Sequence, residues 1–249
     1  MARLKDKVAI VTGAASGFGE GIARRFAEEG GKVVAADLNF KGAERVAASI
    51  GDAAIGIKTD VSRKAEVEAM VAAAVNTFGR VDIMVNNAGF THVKGNMLEV
   101  PEETFDLITS VNMKAIYYTA LAVVPIMERQ GSGSIITTSS TAGLRPRPGL
   151  TWYNASKGWT ITATKSMAAE LAAKNIRVNC LCPVAGDTAM LPQFLGGDTP
   201  ELREEFRASI PMGRFSTPLD IANAALWLAS ARASFVTGVA LEIDGGRSI

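Results

Sequence analysis

The stretch VAIVTGAASGFG, Val8–Gly19, decides the fold. A short apolar run rich in β-branched residues ends at Thr12, and Gly13, Gly17 and Gly19 follow at once. Continuous rather than alternating apolarity reads as a strand covered on both faces, as in a parallel sheet. The glycines let the backbone turn tightly and come close to whatever the turn holds. The following GIARRFAEEG carries apolar residues at spacings of three and four, which reads as a helix. Strand, glycine turn and helix in this order place free N–H groups and a positive dipole end against a pyrophosphate. Gly13, Ser16, Gly17, Phe18 and Gly19 are therefore the expected dinucleotide cradle.

Outward from this unit the same rhythm repeats. Strands are expected at VVAA from Val33, AIGIKT from Ala54, DIMVN from Asp82, SIITTS from Ser134, IRVNCLC from Ile176 and VALEI from Val239. Helical patterns such as AEVEAMVAAAVNTFG and ASKGWTITATKSMAAELAAK lie between them. Such alternation predicts an α/β chain: a Rossmann-type doubly wound sheet of seven mostly parallel strands, with helices on both faces. No linker or repeat divides it, so residues 1–249 are expected to form one dinucleotide-binding domain. The segment from Gly186 to Met212 is longer than an ordinary connection and reads as a substrate lid around 186–212, or else as a helical insertion at a subunit contact.

Composition narrows the partners. The 249 residues are 48% hydrophobic, and 26 Lys plus Arg against 25 Asp plus Glu give a net charge of +1. That balance gives no reason to expect nucleic acid or an anionic membrane as partner. No apolar run reaches the roughly 18 residues a membrane helix needs, and the N-terminal MARLKDKVAIVTGAASG lacks a signal-peptide core, so a cytoplasmic location is expected. Cys180 and Cys182 read as buried small hydrophobes rather than a disulfide, and with His92 the only histidine no metal site is expected.

Asp37 ends the second strand, 18 positions after Gly19. A carboxylate there accepts from both ribose hydroxyls and repels a 2′-phosphate. Ser16, Leu38 and Asn39 offer no compensating cation, which points to NAD over NADP, with Lys41 the one basic residue close in sequence. Tyr153 and Lys157 are four apart on the long helical pattern and share a face. Free tyrosine has a pKa of about 10, and a cation about 4 Å away at an effective dielectric near 20 lowers that by roughly three units. The expectation is a phenol acting as a general base near neutrality, helped by oxidised nicotinamide. Ser140, at the carboxyl end of SIITTS, is placed to hydrogen-bond the reacting oxygen.

Together these residues resemble the short-chain dehydrogenase/reductase superfamily, from Lys7 to Gly246. Thr12–Gly19 is similar to its TGxxxGxG turn, Asp60-Val61 to its adenine-flanking pair, Asn86-Asn87-Ala88-Gly89 to NNAG, and Tyr153/Lys157 to YxxxK. Asn112 in SVNMKA and Ser140 match the remaining members of its tetrad. The resemblance implies that Tyr153 is the acid/base, Ser140 holds the substrate oxygen, Lys157 lowers the phenol pKa and binds the ribose, and Asn112 anchors a proton-relay water. It also implies cofactor contacts from Asp60, Val61, Asn87, Gly186 and Thr188, and a homotetramer with the last strand at a subunit contact. One departure stands out: the family has Pro-Gly after the sixth strand, whereas Pro183-Val184-Ala185-Gly186 puts the glycine later.

The substrate pocket is expected to be lined by Thr91, His92 and Val93, by the LRPRPGLTW loop with Arg145 and Arg147, and by Met190, Leu191 and Phe194 from the lid. The arginines read either as a grip on a carboxylate or phosphate or as braces of a surface, and His92 as a second acid/base or an ordinary loop residue. The expected reaction interconverts a secondary alcohol (polyol, sugar or hydroxy compound) and its ketone. The alternatives are a 3-oxoacyl-[acyl-carrier-protein] reductase and a non-catalytic dinucleotide sensor.

Overall fold

Ile10 and Val11 point to opposite faces of the first strand, and that alternation creates two cores. The computed structural model describes residues 2–249. Its sheet has seven strands: β1 (Val8–Thr12), β2 (Lys32–Asp37), β3 (Ala54–Lys58), β4 (Ile83–Asn86), β5 (Gly133–Thr138), β6 (Ile176–Pro183) and β7 (Ala240–Ile243). The order is β3-β2-β1-β4-β5-β6-β7, and every pairing is parallel. Each strand lies within a residue of its expected ends. The order reverses between β1 and β4, which register through Ala9↔Ile83 and Val11↔Val85, and this switch point opens the binding crevice at the carboxyl ends.

The helices are α1 (Gly17–Glu28), α2 (Phe40–Ile50), α3 (Lys64–Phe78), α4 (Glu102–Thr109), α5 (Ala115–Gln130), α6 (Thr141–Leu144), α7 (Thr151–Leu171), α8 (Leu191–Leu195), α9 (Pro200–Ala208) and α10 (Pro218–Ala229). On one face Ile22 and Phe26 of α1 and Ile221, Ala225 and Leu226 of α10 pack on Val11, Val33, Val85 and Leu181. On the other, Val67, Met70 and Val71 of α3 and Val123 and Met127 of α5 pack on Ile10, Val34, Met84 and Ile135. Burying one such side chain contributes about 1.5–3 kcal/mol, so these two layers hold the sheet rigid beneath its loops.

One sequence expectation needs correction. Residues Glu102–Gln130 form a continuous helical stretch whose apolar window reaches a mean hydropathy of 1.4, enough by length and composition to cross a membrane. The reason is that α5 serves the core: Ile116, Val123 and Met127 are buried and Thr119 hydrogen-bonds Asn86. Cys180 and Cys182 are free and buried on β6, as expected.

Candidate active site

The cradle forms because β1 and β4 are stitched together just where their chains diverge. The Thr12 hydroxyl donates to the Val85 carbonyl at 3.3 Å and accepts from the amides of Asn87 and Ala88 at 3.0 and 3.1 Å. The Asn87 side chain donates back to the Thr12 carbonyl at 3.0 Å, so Asn87 lines the crevice while bracing the turn. Gly13 has φ +65°, and a Cβ on Gly19 would lie 2.0 Å from the Gly13 carbonyl oxygen, so this turn closes only without side chains. Ser16 starts α1 without capping it, which leaves first-turn amides directed at the crevice.

Asp37 sits at the end of β2, its carboxylate accepting from the amides of Ala15 at 2.9 Å and Asn39 at 2.8 Å. Asp60 and Val61 follow β3, and the Asp60 carboxylate accepts from the Ser62 amide and hydroxyl at 2.9 and 2.6 Å. A single cavity of about 1040 Å³ is lined by Gly13, Ser16, Gly17, Phe18, Asp37, Asp60 and Val61 at one end and by Ser140, Tyr153 and Lys157 further along. That exceeds a pocket for one small ligand and fits a dinucleotide with a substrate beside it.

Ser140 leaves β5 and caps α6, its hydroxyl oxygen accepting from the Ala142 amide at 3.1 Å while its proton remains free for another partner. Tyr153 and Lys157 lie one turn apart on α7, each only 5% exposed. Lys157 Nζ donates to the Thr138 carbonyl at 2.8 Å and stands 5.6 Å from the Tyr153 ring centroid. Asn112 occupies a π-turn, Ser110–Lys114, between α4 and α5. Its amide nitrogen donates to the Phe90 carbonyl at 2.8 Å and Ser156 Oγ at 3.0 Å, and its oxygen accepts from the Phe90 amide at 2.8 Å. The amide hydrogens are used in holding the Phe90 loop to α7, while the oxygen keeps one lone pair. A cavity of about 10 Å³, near the lower limit for one water, lies behind and touches Asn112, Thr138 and Lys157.

The electrostatics depart from the sequence expectation. Burial pushes the Tyr153 phenol up to about 12, only partly opposed by the Ser140 hydroxyl, and pushes the Lys157 ammonium down to about 8. The protein alone thus raises the phenol rather than bringing it near neutrality. The ammonium sits over the ring face and spends a hydrogen bond on Thr138, and dehydration of the phenolate outweighs its attraction.

The region after β6 also resolves. Gly186 forms an isolated parallel bridge with Ser216, and a Cβ there would meet the Phe18 ring at 2.6 Å. Glycine is needed at 186 because Phe18 of the cradle packs onto that backbone. Thr188, whose amide donates to the Gly186 carbonyl at 2.8 Å, lies over Gly17. Arg145, Arg147, Met190 and Phe194 line the cavity as expected. Thr91, His92 and Val93 do not; Phe90 and Lys94 take that place, because Thr91 and His92 fold inward and are 5% exposed. Leu191 is also absent from the lining, being fully buried beneath the lid. Sequence reasoning gave Thr12 no role beyond opening the turn, and it missed Thr138 and Arg247. The first two act through hydroxyl or carbonyl groups that any strand end carries, and the third joins the wall only through the folding of the C-terminal residues.

Comparison with known proteins agrees with this geometry. Residues 13–248 match the family model described as Enoyl-(Acyl carrier protein) reductase. The chain is 47% identical to 4-formylbenzenesulfonate dehydrogenase of Comamonas testosteroni, over 99% of both chains. It is 38% identical to a 3-oxoacyl-[acyl-carrier-protein] reductase of Thermotoga maritima, over 98% of both. It superposes on a crystal structure of 3-ketoacyl-(acyl-carrier-protein) reductase from Brucella melitensis complexed with NADH, with TM-score 0.95, 50% identity and coverage of 99% and 100%. The chain belongs to the short-chain dehydrogenase/reductase superfamily, a family of dinucleotide-dependent oxidoreductases.

Proposed function

We propose that this chain is an NAD-dependent dehydrogenase that interconverts a secondary alcohol and its ketone. The observation that carries the cofactor choice is Asp37, which lines the cavity at the ribose end with no cation beside it. Lys41 does not line the cavity, and Arg45, whose guanidinium reaches the Ala15 carbonyl at 2.9 Å, is committed to Glu20 at 2.6 Å. A 2′-phosphate would meet an uncompensated carboxylate. The NADH named for the Brucella melitensis structure and the dehydrogenase named for the Comamonas testosteroni relative support the same reading.

The chemistry supplied by the bound dinucleotide is a hydride acceptor, positively charged while oxidised. Gly13, Ser16, Gly17, Phe18 and Gly19 would hold its pyrophosphate, Asp37 a ribose, Asp60 and Val61 the adenine end, and Asn87, Gly186 and Thr188 the nicotinamide end. Tyr153 Oη accepts the proton of the substrate hydroxyl, and Ser140 orients that oxygen by donating to it. Lys157, held by Thr138, keeps a positive charge beside the phenol and passes protons outward through the small cavity bounded by Asn112. The 5% exposure of Tyr153 and Lys157 keeps bulk water from the exchange. Exposed Tyr117 and Leu121 on α5 and Trp159 on α7 support the homotetramer as part of the same proposal.

The test is a substrate panel of polyols, sugars, secondary alcohols and hydroxy acids followed by NADH absorbance. Turnover with a higher kcat/KM for NAD than for NADP is expected; preference for NADP overturns the cofactor assignment. A second reading, reduction of 3-oxoacyl groups on a carrier protein, is favoured by the Thermotoga maritima relative and the Brucella melitensis structure. Acyl-carrier thioesters in the same assay distinguish the two.

A further inference from the structure

The cavity is electrically lopsided. Its ribose end carries the carboxylates of Asp37 and Asp60, whereas the substrate end is lined by Lys94, Arg145, Arg147 and Arg247, with Glu205 the only carboxylate among them. None of these four cations forms an ion pair among the described residues, although Arg203, Arg207 and Arg214 nearby all do.

Arg247 is the most built of the four. It lies half-buried with its guanidinium 4.1 Å from the Phe206 ring centroid, and its Nε donates to Ser209 Oγ at 2.8 Å. Those contacts fix the plane of the group and leave both terminal nitrogens without a hydrogen-bond partner among the described residues. The Asp244 carboxylate is occupied by the amides of Gly246 and Ser248 at 3.0 and 2.7 Å.

Arg147 faces the same space. Its carbonyl is held by Asn154 Nδ2 at 2.8 Å, one residue from the catalytic phenol, while its guanidinium makes no hydrogen bond. Both residues line the one cavity, and burial lowers the Arg247 pKa with the Arg147 charge adding to it. Lys94 is strapped between the loop that carries Arg147 and the lid. Its amide donates to the Gln193 carbonyl and the next amide to the Gly149 carbonyl, both at 2.9 Å, and its side chain passes Gly149 and Gly196. Between this corner and Tyr153 the wall is apolar: Phe194 packs on the Tyr153 ring at 5.3 Å, and Leu195, Leu202 and Phe206 continue it.

Lys94 and Arg147 are exposed at the cavity mouth, where water screens them, whereas Arg247 is half-buried, and an oxyanion placed among them gains most from the Arg247 fork. We infer that Arg147 and Arg247, with Lys94, form an anion clamp that grips a carboxylate or sulfonate on the substrate. The preferred substrate is then an apolar or aromatic alcohol ending in a negative charge, its hydroxyl at Tyr153 and its anion at the clamp. This inference rests on the dehydrogenase reading of the cavity, and its test separates the two.

The first arm is isothermal titration of benzoate into the NAD-saturated enzyme. Binding is expected, weakened at least tenfold by Arg147→Gln and by Arg247→Lys, because charge-assisted bonds to a planar fork are lost. Melting temperatures check that the variants fold, and Arg247→Lys keeps the cation where a neutral residue would free Phe206. No binding by the wild type, or equal affinity in both variants, overturns the clamp. The second arm compares methyl phenyl carbinol with its para-carboxylated form. The carboxylated alcohol is expected to show a kcat/KM at least tenfold higher, with that ratio falling in either variant, mainly through KM. A ratio near one in the wild type overturns the clamp as a specificity device. Failure of both alcohols counts against the dehydrogenase reading for such compounds, and the benzoate titration still decides the clamp. If the variants weaken only acyl-carrier thioesters, the cations serve a carrier phosphate and the inference is wrong.

Discussion

Lys157 Nζ stands 5.6 Å from the centre of the Tyr153 ring and is anchored to the Thr138 carbonyl, so ammonium and phenol share one buried corner of the cavity. Burial disfavours the charged form of each, holding the phenol near 12 and the ammonium near 8. The proposed reaction needs the phenol brought down, and the positive charge of an oxidised nicotinamide ring would favour its phenolate. Alcohol oxidation is therefore expected to accelerate as pH rises, and ketone reduction to slow. A rate of oxidation that falls from pH 7 to 9 in stable enzyme would argue against a phenolic base.

Tyr153→Phe removes the proton acceptor but keeps the ring against Phe194. Turnover should fall by about 10²–10⁴, the range for losing a general acid/base group. NADH fluorescence titration should show cofactor binding kept within a few-fold. Turnover within tenfold of wild type would refute the assigned role.

Lys157 has a second, measurable effect on stability. Its folded pKa is lowered from 10.5 to about 8, so between those values the unfolded chain binds more protons. Stability gained from this residue therefore rises with pH across that window, and the cost of burying the ammonium is fully present below it. At about 1.4 kcal/mol per pKa unit the cost is of order 3 kcal/mol. Lys157→Met should be more stable than wild type at pH 7 in denaturant unfolding of the cofactor-free protein, with the gap narrowing as pH approaches 10. A gap independent of pH would contradict the burial.

Asp37→Ser should lower kcat/KM for NAD by about ten- to a hundredfold, the worth of hydrogen bonds to a charged group. The NADP-to-NAD ratio should rise, since the repelling charge is gone. An unchanged ratio in steady-state assays would place the discrimination elsewhere.

Gly186→Ala drives a methyl into the Phe18 ring, 2.6 Å away by geometry, and into the Ser216 carbonyl at 2.9 Å. A loss of about 1–3 kcal/mol is expected, with weaker cofactor binding as Thr188 shifts. Phe18→Ala in the same chain should return part of that loss; a strictly additive double variant would show that the ring is not the obstacle.

What the sequence by itself determined was whatever depends on local pattern. Seven apolar runs, each bounded by turn residues, specified the parallel sheet, because strands covered on both faces leave no polar alternation; the edge strands β3 and β7 are only partly covered. The Gly13–Gly19 turn was legible because steric demands on a tight turn are written in the residues that make it. Tyr153 and Lys157 were legible because four positions on a helix fix a shared face. Tertiary structure decided what depends on neighbours distant in the chain. Whether Lys157 lowers the phenol pKa depended on how much water the walls of β5, β6 and the lid remove, and burial prevailed. Thr91, His92 and Leu191 turned inward because the loop and lid pack on the body, which no spacing reveals. Gly186 had its reason in Phe18, and Arg247 reached the substrate cavity only because α9 lies beneath it. Burial and like-charge proximity arise between segments, and so they exist only once the chain has folded.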